Sequence, residues 1–172
     1  SGIPHLVVSN SWAGRKEHER LGYQPRQWTV IPNGFDTDRF RPNFGVREVV
    51  RREWALPENA VLVALVARVD PMKDHATFLE AATQVARIRQ DVYFVLIGKN
   101  TETLAKVVGE KALTGQVRLL GYRNDVSTLL PGMDIVCLSS AFGEGCPNVL
   151  GEAMACGIPC VATDVGDALD II

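Results

Sequence analysis

Residues 61–67 read VLVALVA, an apolar run without a single polar interruption. A strand with one face in water would alternate apolar and polar residues, so this stretch predicts a parallel strand buried on both faces. It is far shorter than the ~20 residues that a membrane-spanning helix needs. Six further β-type runs flank it, at 5–9 (HLVVS), 28–32 (WTVIP), 92–97 (VYFVLI), 117–120 (VRLL), 135–138 (IVCL) and 159–163 (PCVAT).

Segments with helical periodicity separate these runs. Asp74 is suited to cap a helix, and Asp125 to cap a short one that Pro131 ends. Further helices are predicted up to about Leu21, through Leu104, and over 147–156. Strands that alternate with helices form parallel sheets with right-handed crossovers. We therefore predict an α/β fold, a Rossmann-like parallel sheet with helices on both faces, as one domain over residues 1–172.

Composition narrows the function classes. The chain of 172 residues is 47% hydrophobic and 22% charged, which is typical of a globular domain. Its formal net charge of -2 argues against a general nucleic-acid binder. The four cysteines form no CxxC pair and the three histidines are scattered, so we expect no zinc site and reduced thiols in a cytoplasmic protein.

The loop after the 61–67 strand is rich in charge. Ligands of open α/β sheets bind outside the carboxyl ends of the strands. Lys73 precedes the cap Asp74, and Arg68 leaves the strand end beside it, where a guanidinium can offer two parallel donors to a phosphate. A solvated Lys73 and an Arg68 paired with Asp70 are the alternative. The position at the strand end favours an anion site.

A second loop with candidate binding residues leads into the helix at 147–156. Pro147 suits the first helical position, and the glycines before it let backbone amides approach a ligand. One helix face should carry Asn148, Gly151, Glu152 and Ala155, and the sheet-facing side Val149, Leu150, Ala153 and Met154. Glu152 would then face the crevice below Glu144. Carboxylates suit sugar hydroxyls, although an exposed acid near a helix start explains each glutamate equally well.

The spacing Gly143-x-Gly145-x-x-Asn148 comes close to a dinucleotide-binding fingerprint. The third glycine is Asn, Pro147 occupies the turn, and Glu144 would point its charge at a pyrophosphate. These departures argue against NAD binding.

Four motifs, in order along the chain, resemble those of the retaining glycosyltransferases of family 4. Residues 144–163, EGCPNVLGEAMACGIPCVAT, look like the family's Glu-x7-Glu segment. Arg68 and Lys73 resemble its phosphate-binding Arg and Lys, residues 30–36 (VIPNGFD) its IPNG-D turn, and residues 120–125 (LGYRND) the loop beside its nucleobase pocket. Cys146-Pro147 stands where the family often has Phe-Gly, which removes one backbone donor.

The resemblance implies one half of a GT-B fold, the donor-binding domain, truncated at its C-terminal end and lacking the N-terminal acceptor domain. It implies transfer of a sugar from a UDP- or GDP-linked donor to a glycan or lipid-linked acceptor, as in polysaccharide biosynthesis, with retention of anomeric configuration. Arg68 and Lys73 would neutralise the diphosphate, Glu144 would hold sugar hydroxyls, and Glu152 the ribose. The remaining substrate-binding residues by this resemblance are Gly34, Gly145, Cys146, Pro147, Asn148, Val149 and Tyr122. No metal or other cofactor is expected, because two cations and a helix start supply positive charge.

Two other functions stay open at this stage, a nucleotide-sugar epimerase of the same fold and a non-catalytic nucleotide-binding domain. The paired carboxylates and cations favour the transferase. Five arginines make residues 39–53 a candidate for peripheral contact with the inner face of an anionic membrane, at Arg39, Arg41, Arg47, Arg51 and Arg52. The acidic residues Asp38, Glu48 and Glu53 near these arginines favour a solvated helix instead.

Overall fold

The structure is a computed structural model that describes residues 3–172; Ser1 and Gly2 of the predicted domain lie outside this range. The strands of the described part are β1 (Leu6–Ser9), β2 (Gln27–Val30), β3 (Val61–Val66), β4 (Val92–Ile97), β5 (Val117–Leu119), β6 (Ile135–Leu138) and β7 (Cys160–Ala162). Its α-helices are α1 (Trp12–Arg20), α2 (Val46–Glu53), α3 (His75–Ile88), α4 (Ala105–Glu110), α5 (Val126–Leu129), α6 (Asn148–Ala155) and α7 (Ala168–Ile171).

Five strands form one parallel sheet in the order β5-β4-β3-β6-β7. The apolar run at 61–67 contains its central strand, β3, paired with β4 from Val61↔Val92 to Val66↔Ile97 and with β6 on its other side. The chain first winds outward from β3 to β5 and then returns to the far side of β3. The strand order therefore reverses between β3 and β6, which places the expected ligand crevice at their carboxyl ends.

Apolar side chains cover both faces of this sheet, as its continuous apolar strands predict. On β4, Val95 and Ile97 point into a core shared with α2, α5 and α6, whereas Phe94 and Leu96 point into a core shared with α3 and α4. Successive residues of β4 thus contribute to cores on opposite faces of the sheet, because side chains alternate across a strand. The predicted Rossmann-like α/β fold with helices on both faces is confirmed.

The two first strands do not join this sheet. β1 and β2 pair with each other in a separate parallel sheet, with Leu6 opposite Gln27 and Ser9 opposite Val30. Alternating strands and helices predict parallel crossovers but do not say which sheet a strand enters. The prediction of one continuous sheet is therefore wrong for the first 30 residues.

Several local predictions need correction. Asp74 does cap α3, accepting from Thr77 N at 3.1 Å, but Asp125 makes no capping bond because its carboxylate is taken by Arg123. Pro131 does not end a helix; it lies in a 3₁₀ turn that continues α5. Met154 is 45% exposed instead of facing the sheet, since the eight-residue α6 turns only Leu150 and Ala153 fully inward.

Candidate functional site

A cavity of about 380 Å³ opens at the carboxyl ends of β3, β4 and β5. Its floor is apolar and its rim carries four cationic side chains, which are Arg68, Lys73, Lys99 and Arg123. Gly98 is needed at its base, because a Cβ there would meet Ala67 O at 2.1 Å. Such a basic rim over an apolar floor suits an anionic ligand that also carries a flat or apolar part.

Arg68 lies where the sequence predicted, directly after β3. Its Nη2 pairs with Asp70 Oδ2 at 3.1 Å, so the paired arrangement weighed as an alternative is the one that the structure shows. The pKa of Asp70 is lowered first by the Met72 amide and then by Arg68. Because the Arg68 side chain is 59% exposed, the ion pair contributes little, and an incoming anion can compete for the guanidinium.

Lys73 and Glu144 are brought into direct contact, although 71 residues separate them. Glu144 Oε1 accepts from Lys73 Nζ and also from Ser140 Oγ, the latter at 2.6 Å. Both charged side chains are largely buried, with 17% of Lys73 and 8% of Glu144 exposed. The loop after β3 and the loop after β6 therefore meet at the point where the strand order reverses.

The backbone around Glu144 is held by two neighbouring loops. Ala141 N donates to Met72 O at 2.9 Å, which joins the loop after β6 to the loop after β3. On the other side, Gly166 packs so closely on Glu144 that a Cβ would lie 2.6 Å from the Glu144 carbonyl oxygen. Asp167 N donates to Gly145 O at 2.9 Å. The loop is thereby fixed from both directions.

The start of α6 differs by one residue from the prediction. Pro147 is the N-cap in an extended conformation and the helix begins at Asn148. The amides of Asn148 and Val149, in the first turn, have no partner within the helix and stay available to a ligand. Cys146 is half-buried in the loop just before them.

Only part of the predicted ligand-facing side of α6 is open. The Phe35 ring covers Gly151 so closely that a Cβ there would lie 2.2 Å from it. Gly151 therefore packs against Phe35 and does not face an open cleft. Glu152 is half-buried beside the covered glycine. Burial raises the pKa of the Glu152 carboxyl, and the positive charge of Arg39 opposes that rise. Burial thus disfavours the ionised form of Glu152 in the chain as it stands.

The turn after β2 also reaches α6. Asn33 Nδ2 donates to Asn148 Oδ1 at 2.6 Å, and Asn10 Nδ2 donates to Asn33 Oδ1 at 3.2 Å. Gly34 follows, with nothing within 4 Å of the position that a Cβ would take. The small sheet thus supplies one wall beside the helix start, and Gly34 lies in open space next to it.

Tyr122 borders the cavity as predicted and is 74% exposed. Arg123 on the same rim is held by Asp125 at 2.6 and 2.7 Å, and this pairing raises the pKa of Arg123 and lowers that of Asp125. Sequence reasoning places Lys99 and Arg123 in loops that follow strands but assigns neither of them a role. Nothing local marks Ser140.

The arginine-rich segment is less available than its sequence suggests. Arg51 is fully buried and Arg47 pairs with Asp134, so the expectation of a solvated helix is wrong for this part of α2. Arg39, Arg41 and Arg52 are exposed. None of the helices formed by residues 3–172 is both long and apolar enough to cross a membrane.

The order of the strands and the position of these two loops define a doubly wound α/β domain, a class of fold in which ligands bind at the reversal point. The chain belongs to the group 1 glycosyl transferases, whose family model matches residues 46–172. The match begins in α2 and contains the whole five-stranded sheet.

Individual relatives agree. The chain is 28% identical over 152 residues, 86% of its length and 39% of the relative's, to the Escherichia coli UDP-Gal:alpha-D-GlcNAc-diphosphoundecaprenol alpha-1,3-galactosyltransferase. It is 31% identical over 166 residues, 94% of its length and 34% of the relative's, to the D-inositol 3-phosphate glycosyltransferase of Mycobacterium bovis. The crystal structure of Anabaena Alr3699/HepE in complex with UDP and glucose superposes with a TM-score of 0.87 at 26% identity, covering 98% of this chain and 47% of that one. The chain thus spans between about a third and a half of the length of these relatives.

Proposed function

We propose that this chain is the donor-binding part of a retaining glycosyltransferase of the family 4 type. It would bind a nucleoside-diphosphate sugar, linked to UDP or GDP, whose sugar is transferred to a glycan or lipid-linked acceptor. The observation that carries the proposal is the contact between Lys73 and Glu144, which joins a cation of the basic cavity to a carboxylate suited to sugar hydroxyls. Relatives named for UDP, UDP-galactose or glucose support it.

The diphosphate would lie between Arg68, Lys73 and the amides at the start of α6. In such a reaction the bond between sugar and diphosphate breaks with negative charge gathering on the leaving group. Fixed cations and amides stabilise that charge more in the transition state than in the ground state. Arg68 and Lys73 would therefore act chiefly on turnover.

The sugar would be held by Glu144, and the ribose by Glu152. The loop residues Gly145 and Cys146 would border the sugar, with Gly34 across the cleft, and Tyr122 would border the base. We propose that no metal takes part, because four cationic side chains and a helix start supply the positive charge that a divalent ion would otherwise bring.

The rest of the proposed enzyme is an N-terminal acceptor domain and a C-terminal completion of the donor domain. The greater length of the relatives supports both. We propose a cytoplasmic location, at the inner face of the membrane if the acceptor is lipid-linked. The free thiols of the four cysteines are consistent with a reducing compartment.

Titration of the chain with UDP, GDP and their sugar conjugates tests the proposal. Nuclear magnetic resonance shifts should cluster at residues 68–73, 98–99, 121–123 and 144–149. Shifts that cluster elsewhere, or no binding by any nucleotide at millimolar concentration, would refute it. Sugar transfer by the protein that carries these residues, with no epimerised donor, separates a transferase from an epimerase and from a non-catalytic binding domain.

A further inference from the structure

The two oxygens of the Glu144 carboxylate have different surroundings. Oε1 accepts from both Ser140 Oγ and Lys73 Nζ, whereas Oε2 accepts no hydrogen bond from any of residues 3–172. A carboxylate can only accept hydrogen bonds, so the Ser140 hydroxyl is the donor. One oxygen is thus engaged by the protein, and the other is left to a ligand.

Ser140 itself is held tightly. It is 1% exposed at the end of β6, and its carbonyl accepts from Thr163 Oγ1 at 2.6 Å. Gly143, at a φ of 76°, allows the chain to turn back so that Glu144 meets a residue only four positions earlier. The burial of Ser140 and the turn at Gly143 therefore bring its hydroxyl against the Glu144 carboxylate.

The neighbouring serine acts on the other loop. Ser139 Oγ donates to the Lys73 carbonyl at 2.8 Å. The two successive serines, which follow the end of β6, thus contact two different loops. Ser139 fixes the backbone that carries Lys73, and Ser140 fixes the carboxylate that Lys73 contacts.

We propose that Ser140 is a positioning residue for the donor sugar, an inference that rests on the proposed function. By engaging Oε1 from below, it orients Glu144 so that Oε2 faces the cleft and accepts from hydroxyls of the sugar. Because Ser140 also donates to Oε1, this oxygen has a second donor besides Lys73. A lysine ammonium has three donors, and the two not directed at Glu144 remain for the diphosphate.

The test compares nucleotides with and without the sugar. Affinities are measured calorimetrically for UDP with UDP-glucose and for GDP with GDP-mannose, and the pair that binds is used throughout. Ser140→Ala should leave the Kd of the nucleoside diphosphate within two-fold and weaken the nucleotide sugar about ten-fold, which corresponds to about 1.4 kcal/mol. Once Glu144 is changed to Gln, adding Ser140→Ala should cost no further affinity.

Thr163→Val is the matched control, because it removes the 2.6 Å bond to the Ser140 carbonyl without touching the carboxylate. It should lower the unfolding temperature but leave the ratio of the two affinities unchanged. Ser140→Cys keeps a side chain of similar size but offers only a weak hydrogen-bond donor. It replaces Ser140→Ala if that variant does not fold.

Equal loss of both ligands in Ser140→Ala, or independent effects of Ser140 and Glu144, would overturn the positioning role while the proposed function stands. Failure of the unaltered protein to bind either pair would refute the proposed function and this inference together.

Discussion

At the scale of single residues, charge is concentrated where the strand order reverses. Arg68 is exposed and paired only with Asp70, whereas Lys73 is largely buried and paired with Glu144. The two cations therefore differ in burial and in the acid that each one contacts. In the proposed complex, Arg68 would exchange its exposed contact with Asp70 for the diphosphate, and Lys73 would keep one donor on Glu144.

In the full-length enzyme, Arg68→Ala and Lys73→Ala should each lower kcat more than they raise the KM for the donor. Their charges matter most as the leaving diphosphate gains negative charge, so a loss of ten- to a thousand-fold in kcat is expected, on the order of removing one electrostatic donor. Steady-state kinetics at saturating donor measure this. Near-normal turnover in both variants would contradict the assigned role.

Glu144 and Glu152 should differ in the ligand that each one serves. Glu152→Ala should weaken nucleoside diphosphate and nucleotide sugar alike, since the ribose is common to both. Glu144→Ala should leave the diphosphate affinity nearly intact and weaken only the sugar conjugate. Parallel calorimetry on both variants decides this, and an equal loss of nucleoside diphosphate affinity in both would disprove the division.

Glu152 should also reduce stability at neutral pH. Burial raises its pKa above the ordinary 4.5, so the folded chain holds this proton at pH values where the unfolded chain has released it. The free energy of unfolding therefore falls as the pH rises from 4.5 through the raised pKa. Glu152→Gln should stabilise the chain at pH 7, and the gain should disappear at pH 4, as measured by urea unfolding.

Glu80 provides the opposite control. Lys111 lowers the pKa of Glu80 on the exposed side of α3, so Glu80→Gln should slightly reduce stability at pH 7. If Glu152→Gln were also destabilising at pH 7, the protein would already stabilise the ionised carboxylate, contrary to the effect of its burial.

At the scale of elements, one buried arginine joins a helix to the sheet. Arg51 of α2 donates to the carbonyls of Ala60 and Gly132 at 2.7 to 3.0 Å and to Asp134 at 2.6 Å. Burial lowers the pKa of its guanidinium, and Asp134 acts against this. The planar group satisfies carbonyls at the start of β3 and before β6, so it fixes where α2 lies on the sheet.

Arg51→Ala should destabilise the chain by about 3–5 kcal/mol, because it removes the buried cation that pairs with Asp134 and the donor to the Gly132 carbonyl, and the half-exposed Arg47 replaces it only in part. Arg51→Lys should recover only part of this, since an ammonium lacks the flat five-donor geometry. The adjacent exposed Arg52 is the control, and Arg52→Ala should stay within about 0.5 kcal/mol of the unaltered chain. Similar urea unfolding curves for Arg51→Ala and Arg52→Ala would show that the buried network is not needed.

Another carboxylate joins the two sheets. Asp167, before α7, accepts from the first amides of α1, at Trp12 N (2.6 Å) and Ala13 N (2.7 Å). It is 8% exposed, and its own amide binds Gly145 O. A carboxylate at a helix start is favourable because it meets unpaired amides at the positive end of the dipole. The small sheet is thereby tied directly to the loop that carries Glu144.

At the scale of the whole molecule, the cavity is bounded on one side only. We expect the chain by itself to fold, to bind nucleotide weakly and to transfer no sugar. Two apolar cores provide stability, while an open cleft leaves the ionic contacts exposed to water and screening. Transfer needs an acceptor held against the donor, and that positioning is a large part of any bimolecular acceleration.

Incubation of the purified chain with nucleotide sugars and candidate acceptors, followed by mass spectrometry for glycosylated product, tests this expectation. A trace of donor hydrolysis is compatible with it. Robust transfer by the chain alone would overturn the two-domain proposal and require an acceptor site within these residues.

The positions of the five strands of the main sheet could be predicted from the sequence almost to the residue. The strands at 92–97 and 135–138 have the predicted bounds, because continuous apolar runs report burial on both faces wherever they occur. The sequence also located the loops that carry Arg68, Lys73 and Glu144, since residues that follow strands of a parallel sheet gather at one edge.

The contacts between side chains could not be predicted from the sequence and are seen only in the folded chain. The contact of Lys73 with Glu144, the burial of Ser140 beneath it and the covering of Gly151 by Phe35 join residues that are far apart in the chain or hidden by a turn. The same holds for β1 and β2, whose pattern predicts strands but not their sheet. Periodicity records how each residue faces its own element, whereas contacts between loops depend on strand order and packing, which a local pattern does not contain.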